Sequence, residues 1–307
     1  MIEHMQSVFQ ELQRVIHVGR LLAEEPLSQH TTFAIGGPAD IFVQPGSMGE
    51  LAATMQVLHA HSDVPVTILG NGSNVLVLDR GIRGVVIKLG DFLSSLRRDG
   101  NRIFAGAGSL LSEVSGFAAA QGLEGMEFAV GIPGSIGGAV FMNAGAYQGE
   151  MSCVVDAVTA VSPAGGVRRF SREELEFSYR HSIFQDNGHI VCEVELLLEA
   201  GESNTIEARM QELTQRRESK QPLELPSAGS TFKRPPGHFA GTLIEQSGLK
   251  GLRVGGAEVS QKHAGFIVNA GGATAQDVLA LISEVQRQVQ QQFGVSLQPE
   301  VRILGEA

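Results

Sequence analysis

The feature that most restricts this chain is the run from Phe128 to Gly149, which carries no charged residue and is dense in glycine. Its length reaches the ~20 residues that a membrane-spanning helix needs. Its content does not suit one. Gly131, Gly134, Gly137, Gly138 and Gly145 would each cost about 1 kcal/mol against alanine in a helix interior. Pro133 would cost more. Two readings remain. In the first, the run is a loop and helix start whose backbone N–H groups cradle an anion, such as the diphosphate of a dinucleotide cofactor. In the second, it is a glycine-rich turn packed against a neighbour. Composition alone weighs the two evenly.

A second glycine turn, Gly70-Asn71-Gly72-Ser73-Asn74, follows the strand-like Val66-Thr67-Ile68-Leu69. It lacks the third glycine of the dinucleotide fingerprint, and the strand-like Val75–Leu78 follows where a helix should open. No Walker A motif, nucleophile elbow or HExxH motif is present. These absences set aside the standard NAD fold and the kinase, hydrolase and metalloprotease motifs. Two separate glycine turns suit a long diphosphate ligand gripped from two segments.

A chain of 307 residues is long enough for two or three domains, each with a core. The formal net charge of -10 argues against nonspecific nucleic-acid binding, which depends on neutralising phosphates with Lys and Arg. With no tryptophan and only Tyr147 and Tyr179, aromatic stacking is not the main grip on any ligand. Cys153 and Cys192 have no metal-ligand spacing and frame no disulfide; both sit in apolar runs and read as buried free thiols. Residues 1–20 show no apolar signal-peptide core, so a cytoplasmic location without membrane or metal is expected. The glycosylation match at Asn71-Gly72-Ser73 is then without meaning.

The coarse organisation is mixed. A helix is expected over Val8–Leu22, and Phe33–Val43 reads as a strand broken by Gly36-Gly37-Pro38. Ser47 with Glu50 signals a second helix. Strands are expected at Val66–Leu69, Val75–Leu78 and Gly84–Leu89, and a hairpin at Ala157–Val161 with Val167–Phe170. Ser171 with Glu174 is a further capping pattern, and Ile190–Leu198 alternates as a half-buried strand. Ile206–Ser219 reads as a charged helix and Lys220–Pro236 as a proline-rich connection. Thr274 with Asp277 caps a helix from Val278 to Phe293, and Leu297–Leu304 reads as a closing strand. A composition change near residue 201, and a weaker one near 90, divide the chain into residues 1–90, 91–200 and 201–307.

Single residues carry less. Arg216, Arg217 and Lys220 near a helix end, with Lys233 and Arg234 beyond, form a cationic cluster in an acidic chain. The helix dipole accounts for cations there; the other reading is a clamp for a phosphate or carboxylate. Ser230 sits in a glycine turn, where serines usually cap or turn the chain. Arg180 and Glu300 are isolated charges, and His263, in apolar surroundings, reads as a hydrogen-bonded core residue.

Six segments together resemble one family, the UDP-N-acetylenolpyruvoylglucosamine reductases. They are ILGNGSNVLV (68–77), GIPGSIGGAVFMNAGAYQGE (131–150), FSYRHSIF (177–184), AGSTFKRPPGHFAGTLIEQSGLKG (228–251), GGAEVSQKHAGFIVN (255–269) and FGVSLQPEVRILG (293–305). They stand in family order, and the short last domain, lacking an inserted tyrosine-bearing loop, is similar to the compact type II form. The resemblance implies an α+β chain: a two-subdomain FAD-binding fold of the vanillyl-alcohol-oxidase type followed by a smaller α/β substrate-binding domain. It implies NADPH-dependent reduction of UDP-N-acetylglucosamine enolpyruvate to UDP-N-acetylmuramate, in peptidoglycan precursor synthesis.

By the same resemblance, Gly70, Asn71, Gly72, Ser73, Asn74 and Val75 wrap the cofactor. So do Gly131, Ile132, Pro133, Ser135, Gly137, Gly138, Asn143, Gly145 and Ala146. No histidine lies in either segment, so FAD is expected to be noncovalent. Ser230 matches the family's proton donor, and Arg180 and Glu300 match the other catalytic positions. Tyr147, Arg217 and Lys220 match positions that contact the nucleotide-sugar; Arg234 stands where many relatives have Asn. Two other readings remain open. Another oxidase of the same flavin fold would keep the glycine segments but would not need Ser230, Glu300 and the cationic cluster together. A nonenzymatic nucleotide-sugar sensor would lack the yellow flavin absorbance.

Overall fold

The computed structural model describes residues 3–306. Among them the chain divides into two compact units. The first comprises the residues up to Ala23, with Asp40–Asn71 and Gly84–Arg216; the second comprises Glu24–Ala39, Gly72–Arg83 and the residues from Arg217 onward.

Two sheets have most of their residues in the first unit. One runs in the order Arg20–Pro26, Pro38–Gln44, Ile82–Lys88, Val66–Leu69. Its last two strands are parallel, with Leu69 opposite Lys88. The second sheet is antiparallel, in the order Val167–Ser171, Val155–Val161, Ile190–Leu197, Arg102–Gly106, Leu96–Asp99. Strand Ile190–Leu197 shows the expected alternation: Val194 and Leu196 are fully buried while Glu193 and Glu195 face partly outward. The helices Met48–Ala60 and Leu111–Ala120 supply Leu51, Leu58, Leu111 and Val114 to the same core.

The opening helix differs from its expectation. It spans Glu3–Gln13, and Arg20–Leu22 lie in a strand instead. The cause is Glu50, remote in sequence. Its carboxylate accepts backbone N–H groups from His17 at 2.9 Å, Val18 at 2.7 Å, Gly19 at 3.1 Å and Gly46 at 2.7 Å. That anchor peels the chain out of the helix. Ser47 Oγ accepts from Glu50 N–H, so the cap forms at Ser47, while the Glu50 side chain serves the distant turn. Burial pushes the Glu50 pKa up, but the four N–H bonds outweigh it and hold the pKa below the usual carboxylate value.

A folded-state pKa below the unfolded one adds stability that is present above the unfolded value, near 4.5, and lost as pH falls through the folded value. The urea midpoint should therefore drop with acidification below that pH. Glu50→Ala should lower stability by about 3 kcal/mol at neutral pH and flatten that part of the acid dependence. An unchanged midpoint at pH 7 would contradict this anchor.

The second unit carries an antiparallel sheet in the order Ser227–Ser230, Phe266–Asn269, Ala257–Val259, Arg253–Val254. The helices Ala240–Gln246 and Ala275–Phe293 pack on it through Leu243, Ile244, Val278, Leu281 and Val285. Thr274 Oγ1 accepts from Asp277 N–H, as the capping pattern required, and Gly294 ends the helix at φ +68°. Strand Ser227–Ser230 lies inside the segment expected to be a proline-rich connection. The expected closing strand shortens to Arg302–Leu304, which pairs in parallel with Val75–Val77. Residues Phe33–Gly37 stay outside the strand that begins at Pro38. Ser171 and Glu174 open only a short 3-10 turn, Arg172–Leu175, with Ser171 N–H on the Glu174 carboxylate at 2.8 Å.

The cysteines divide. Cys192 is buried, and burial pushes its thiol up to about 12. Cys153, expected to be buried, is exposed at the end of the turn Met151–Cys153. Among the described residues, no helix is long and apolar enough to cross a membrane.

Candidate cofactor and substrate sites

The uncharged run folds back on itself. It passes through the turn Glu127–Ala129, the six-residue helix Ile136–Phe141 and the short paired segments Gly145–Ala146 and Gly149–Glu150. Its two ends meet closely: a Cβ on Gly149 would lie 2.6 Å from the Phe128 ring. Backbone bonds fix the helix start, with Ile136 N–H on Ser109 O at 2.8 Å and Gly137 N–H on Ala107 O at 2.9 Å. Leu111 N–H donates to Gly134 O at 2.9 Å, and Ile132 N–H to Ala129 O at 3.0 Å.

The end of the other glycine segment reaches this start within the first unit. A Cβ on Gly70 would lie 2.6 Å from Ser135 Oγ, so no larger residue fits there without displacement. The Asn71 side-chain amide donates to the Pro133 carbonyl. Beside them opens a cavity of about 330 Å³ lined by Asn71, Lys88, Gly90, Asp91, Gly108 and Ser135. Leu110 and Glu113 also line it, and Glu113 accepts Leu110 N–H at 3.1 Å.

Ser135 is 2 % exposed, and its hydroxyl has no hydrogen-bond partner in the protein. A buried hydroxyl left unsatisfied costs about 1–3 kcal/mol. A ligand oxygen is the natural remedy. Gly138, in the first turn of the helix, is exposed. The N–H groups of Ile136 and Gly137 are already taken by Ser109 and Ala107, but the orphan Ser135 hydroxyl, in a gap beside Gly70 that a Cβ would fill, fits an oxygen of the FAD phosphate groups.

The first unit also carries Asn143, Tyr147 and Arg180. Asn143 is buried; its Nδ2 donates to Ser178 O at 3.0 Å and its Oδ1 accepts Ser152 N–H at 2.9 Å. Gln185 Nε2 donates to Arg180 O at 2.9 Å and to Phe141 O at 2.8 Å. The turn bearing Arg180 is thus tied to the end of the helix that starts at the cavity. Arg216 lies over the Tyr147 ring at 5.3 Å. Asn143, Tyr147 and Arg180 all adopt left-handed backbone, at φ 42°, 51° and 57°. Each such residue costs on the order of 1 kcal/mol, strain that concentrates where side chains must be aimed.

The second unit brings Ser230 and Glu300 together through the backbone. Glu300 N–H donates to Thr231 O at 2.8 Å, and Lys233 N–H to Gln298 O at 2.8 Å, with Phe232 bridged to Pro299. Asn74 joins them: its Nδ2 donates to Glu300 O at 3.4 Å, and its carbonyl accepts Arg302 N–H at 2.9 Å. Val75, next along, pairs with Arg302. Gly72 and Ser73 complete that turn, and Gly72 O accepts Thr32 N–H at 3.2 Å. Arg217 and Lys220 occupy the last turn of the helix Ser203–Lys220, where the dipole favours cations. Arg234 packs over the Phe239 ring at 4.1 Å, with both residues exposed.

His263 is half-buried. Its Nδ1 accepts Gly265 N–H at 3.1 Å, and burial lowers its pKa, which suits a neutral structural imidazole. Sequence reasoning missed Lys88, Asp91 and Glu113 at the cavity. Lys88 ends a strand, Asp91 opens the turn Asp91–Leu93 and Glu113 stands in the first turn of the helix Leu111–Ala120, and only the tertiary fold assembles them.

Comparison with known proteins agrees with this geometry. A family model described as an FAD binding domain matches residues 39–171, and one described as the UDP-N-acetylenolpyruvoylglucosamine reductase C-terminal domain matches residues 221–304. The chain is 49% identical over 303 residues to the UDP-N-acetylenolpyruvoylglucosamine reductase of Lachnoclostridium phytofermentans, covering 97% of each. It is 51% identical over 285 residues to that of Clostridium perfringens, covering 93% of each. The crystal structure of the reductase from Thermus caldophilus superposes with a TM-score of 0.79 at 39% identity, over 93% of this chain and 98% of that one. An alkyldihydroxyacetonephosphate synthase shares the fold alone, with a TM-score of 0.50 at 17% identity over 64% of this chain and 40% of that one. The α+β architecture, the glycine cradle with its orphan hydroxyl and the end-to-end likeness lead to one conclusion: this chain is an FAD-binding oxidoreductase of the UDP-N-acetylenolpyruvoylglucosamine reductase family.

Proposed function

We propose that the protein uses NADPH to reduce UDP-N-acetylglucosamine enolpyruvate to UDP-N-acetylmuramate through noncovalent FAD, in cytoplasmic peptidoglycan precursor synthesis. The observation that carries the reading is the backbone junction of Ser230 and Glu300 through Thr231, which brings a hydroxyl-bearing residue and a carboxyl-bearing residue into one short stretch. We assign residues 1–90 and 91–200 to FAD and residues 201–307 to the substrate.

Held by these segments, FAD would supply the hydride relay between NADPH and the vinyl carbon of the substrate. The remaining chemistry belongs to side chains. Negative charge then spreads onto the enolpyruvyl carboxylate, for which the planar guanidinium of Arg180 is a two-pronged partner. Glu300 assists when it is protonated or hydrogen-bonds the enol oxygen. Ser230 Oγ delivers the proton that completes C2; a hydroxyl is a weak acid and works only when held in line. Tyr147, Arg217, Lys220 and Arg234 are assigned to the nucleotide-sugar, the cations to its phosphates. Gly70–Val75 and the segment from Gly131 to Ala146 are assigned to FAD.

Incubating the protein with NADPH and the enolpyruvyl nucleotide-sugar should give a product heavier by two hydrogens, with the double bond gone from its proton NMR spectrum. Recovery of unchanged nucleotide-sugar alongside NADPH consumed with oxygen would favour the oxidase reading instead.

A further inference from the structure

The residues assigned to FAD by resemblance are all uncharged, yet a diphosphate brings two negative charges. Lys88 is the only cation among the described residues that line the cavity. It ends strand Ile82–Lys88 and stands directly opposite Leu69, the residue before Gly70 and Asn71. Leu89 N–H donates to Leu69 O at 2.8 Å, which fixes that register. Lys88 therefore sits at the carboxyl ends of two adjacent parallel strands, the location where open α/β sheets bind nucleotides. Its aliphatic stem runs past Gly90: a Cβ there would lie 3.9 Å from Lys88 Cε. The same cavity is lined by Ser135, whose buried hydroxyl has no protein partner.

We propose that the Lys88 ammonium pairs with the diphosphate of bound FAD, acting with Ser135 Oγ as the charged member of an otherwise neutral cradle. Asp91 and Glu113 also line the cavity, so its walls carry more negative than positive charge without a ligand. Such a cavity is no general anion trap. It would accept a diphosphate because one ammonium lines it together with Asn71 and Ser135, and the two carboxylates would accept hydrogen bonds from hydroxyl groups of the same ligand. Partial burial lowers the Lys88 pKa and Asp91 raises it in part, so the group gains from a further anion. The competing role is structural, with Lys88 serving only to neutralise Asp91.

The inference rests on FAD being the ligand, and the test separates the two. Holoprotein is serially diluted, and the released flavin is followed by its fluorescence. Melting temperature is measured with and without excess FAD. Lys88→Met should raise the FAD dissociation constant at least tenfold, the effect expected for one charge-assisted hydrogen bond. It should also lose most of the FAD-dependent rise in melting temperature, while melting without FAD barely moves. Lys88→Arg should hold FAD within a few-fold of the parent. Should the Met variant fail to fold, Lys88→Gln carries the same comparison. A parent that retains FAD alongside a neutral variant that retains it equally would overturn the role of Lys88. An equal fall in melting temperature with and without FAD would assign the residue to Asp91 instead. A parent that binds no FAD would overturn the flavin reading itself.

Discussion

Ser230→Ala is expected to slow the substrate-dependent half-reaction by about a hundredfold to ten-thousandfold, the range of a lost general acid. Reduction of the bound flavin by NADPH should proceed at the parent rate. Ser230 is exposed at the end of strand Ser227–Ser230, opposite Phe266. Removing its hydroxyl therefore disturbs no packing, and the stability change should stay within about 0.5 kcal/mol. That separation makes the experiment informative, because a slow second half-reaction in a protein of unchanged melting temperature reports chemistry rather than damage. Stopped-flow absorbance with the two half-reactions run separately reads it directly. Equal rates in both half-reactions would remove Ser230 from the mechanism.

Gly72→Ala is expected to be the most damaging single change in the glycine turn. Gly72 is buried at φ +66°, and a Cβ would lie 2.2 Å from His30 O and 2.8 Å from Thr31 Cα. Both obstacles are backbone and cannot swing aside. Left-handed strain and overlap together amount to about 3 kcal/mol or more, which for a chain of this size lowers the melting temperature by roughly 6–12 °C. The harm should spread along a defined route. Thr32 N–H donates to Gly72 O, Thr32 Oγ1 donates to Ser227 O at 2.7 Å, and Ser227 N–H returns to Thr32 O at 3.1 Å. The strand ending at Ser230 starts from that junction. Gly229 supplies the control: its φ is +75°, but nothing lies within 4 Å of a Cβ there. Gly229→Ala should cost only about 1 kcal/mol. Equal losses at the two positions, measured by calorimetry, would contradict the steric account.

Much of this architecture is written locally, and what is not follows from long-range contacts. Ser47 and Thr274 mark their helices because a cap is a contact over three residues, visible in any window. The helix expected over Val8–Leu22 fails because its end is set by the Glu50 carboxylate, which no local pattern reveals. Strand Ser227–Ser230 is hidden among prolines and a glycine, and exists through its pairing with Phe266–Asn269. For the site, Gly70, Asn71, Pro133 and Ser135 stand out through motif and resemblance, and the structure sets Gly70 against Ser135 and Asn71 against Pro133. Lys88 carries no such mark, since a lysine ending a strand is ordinary until the parallel register sets it opposite Leu69. Cys153 misleads for the same reason: apolar neighbours in sequence do not bury a side chain at the end of a turn.

The most direct measurement is a two-step anaerobic titration of the yellow holoprotein. NADPH should bleach the flavin absorbance. After excess NADPH is removed, UDP-N-acetylglucosamine enolpyruvate should restore it, one equivalent of nucleotide-sugar for each flavin. Flavin that stays bleached until oxygen is admitted would contradict the reductase account.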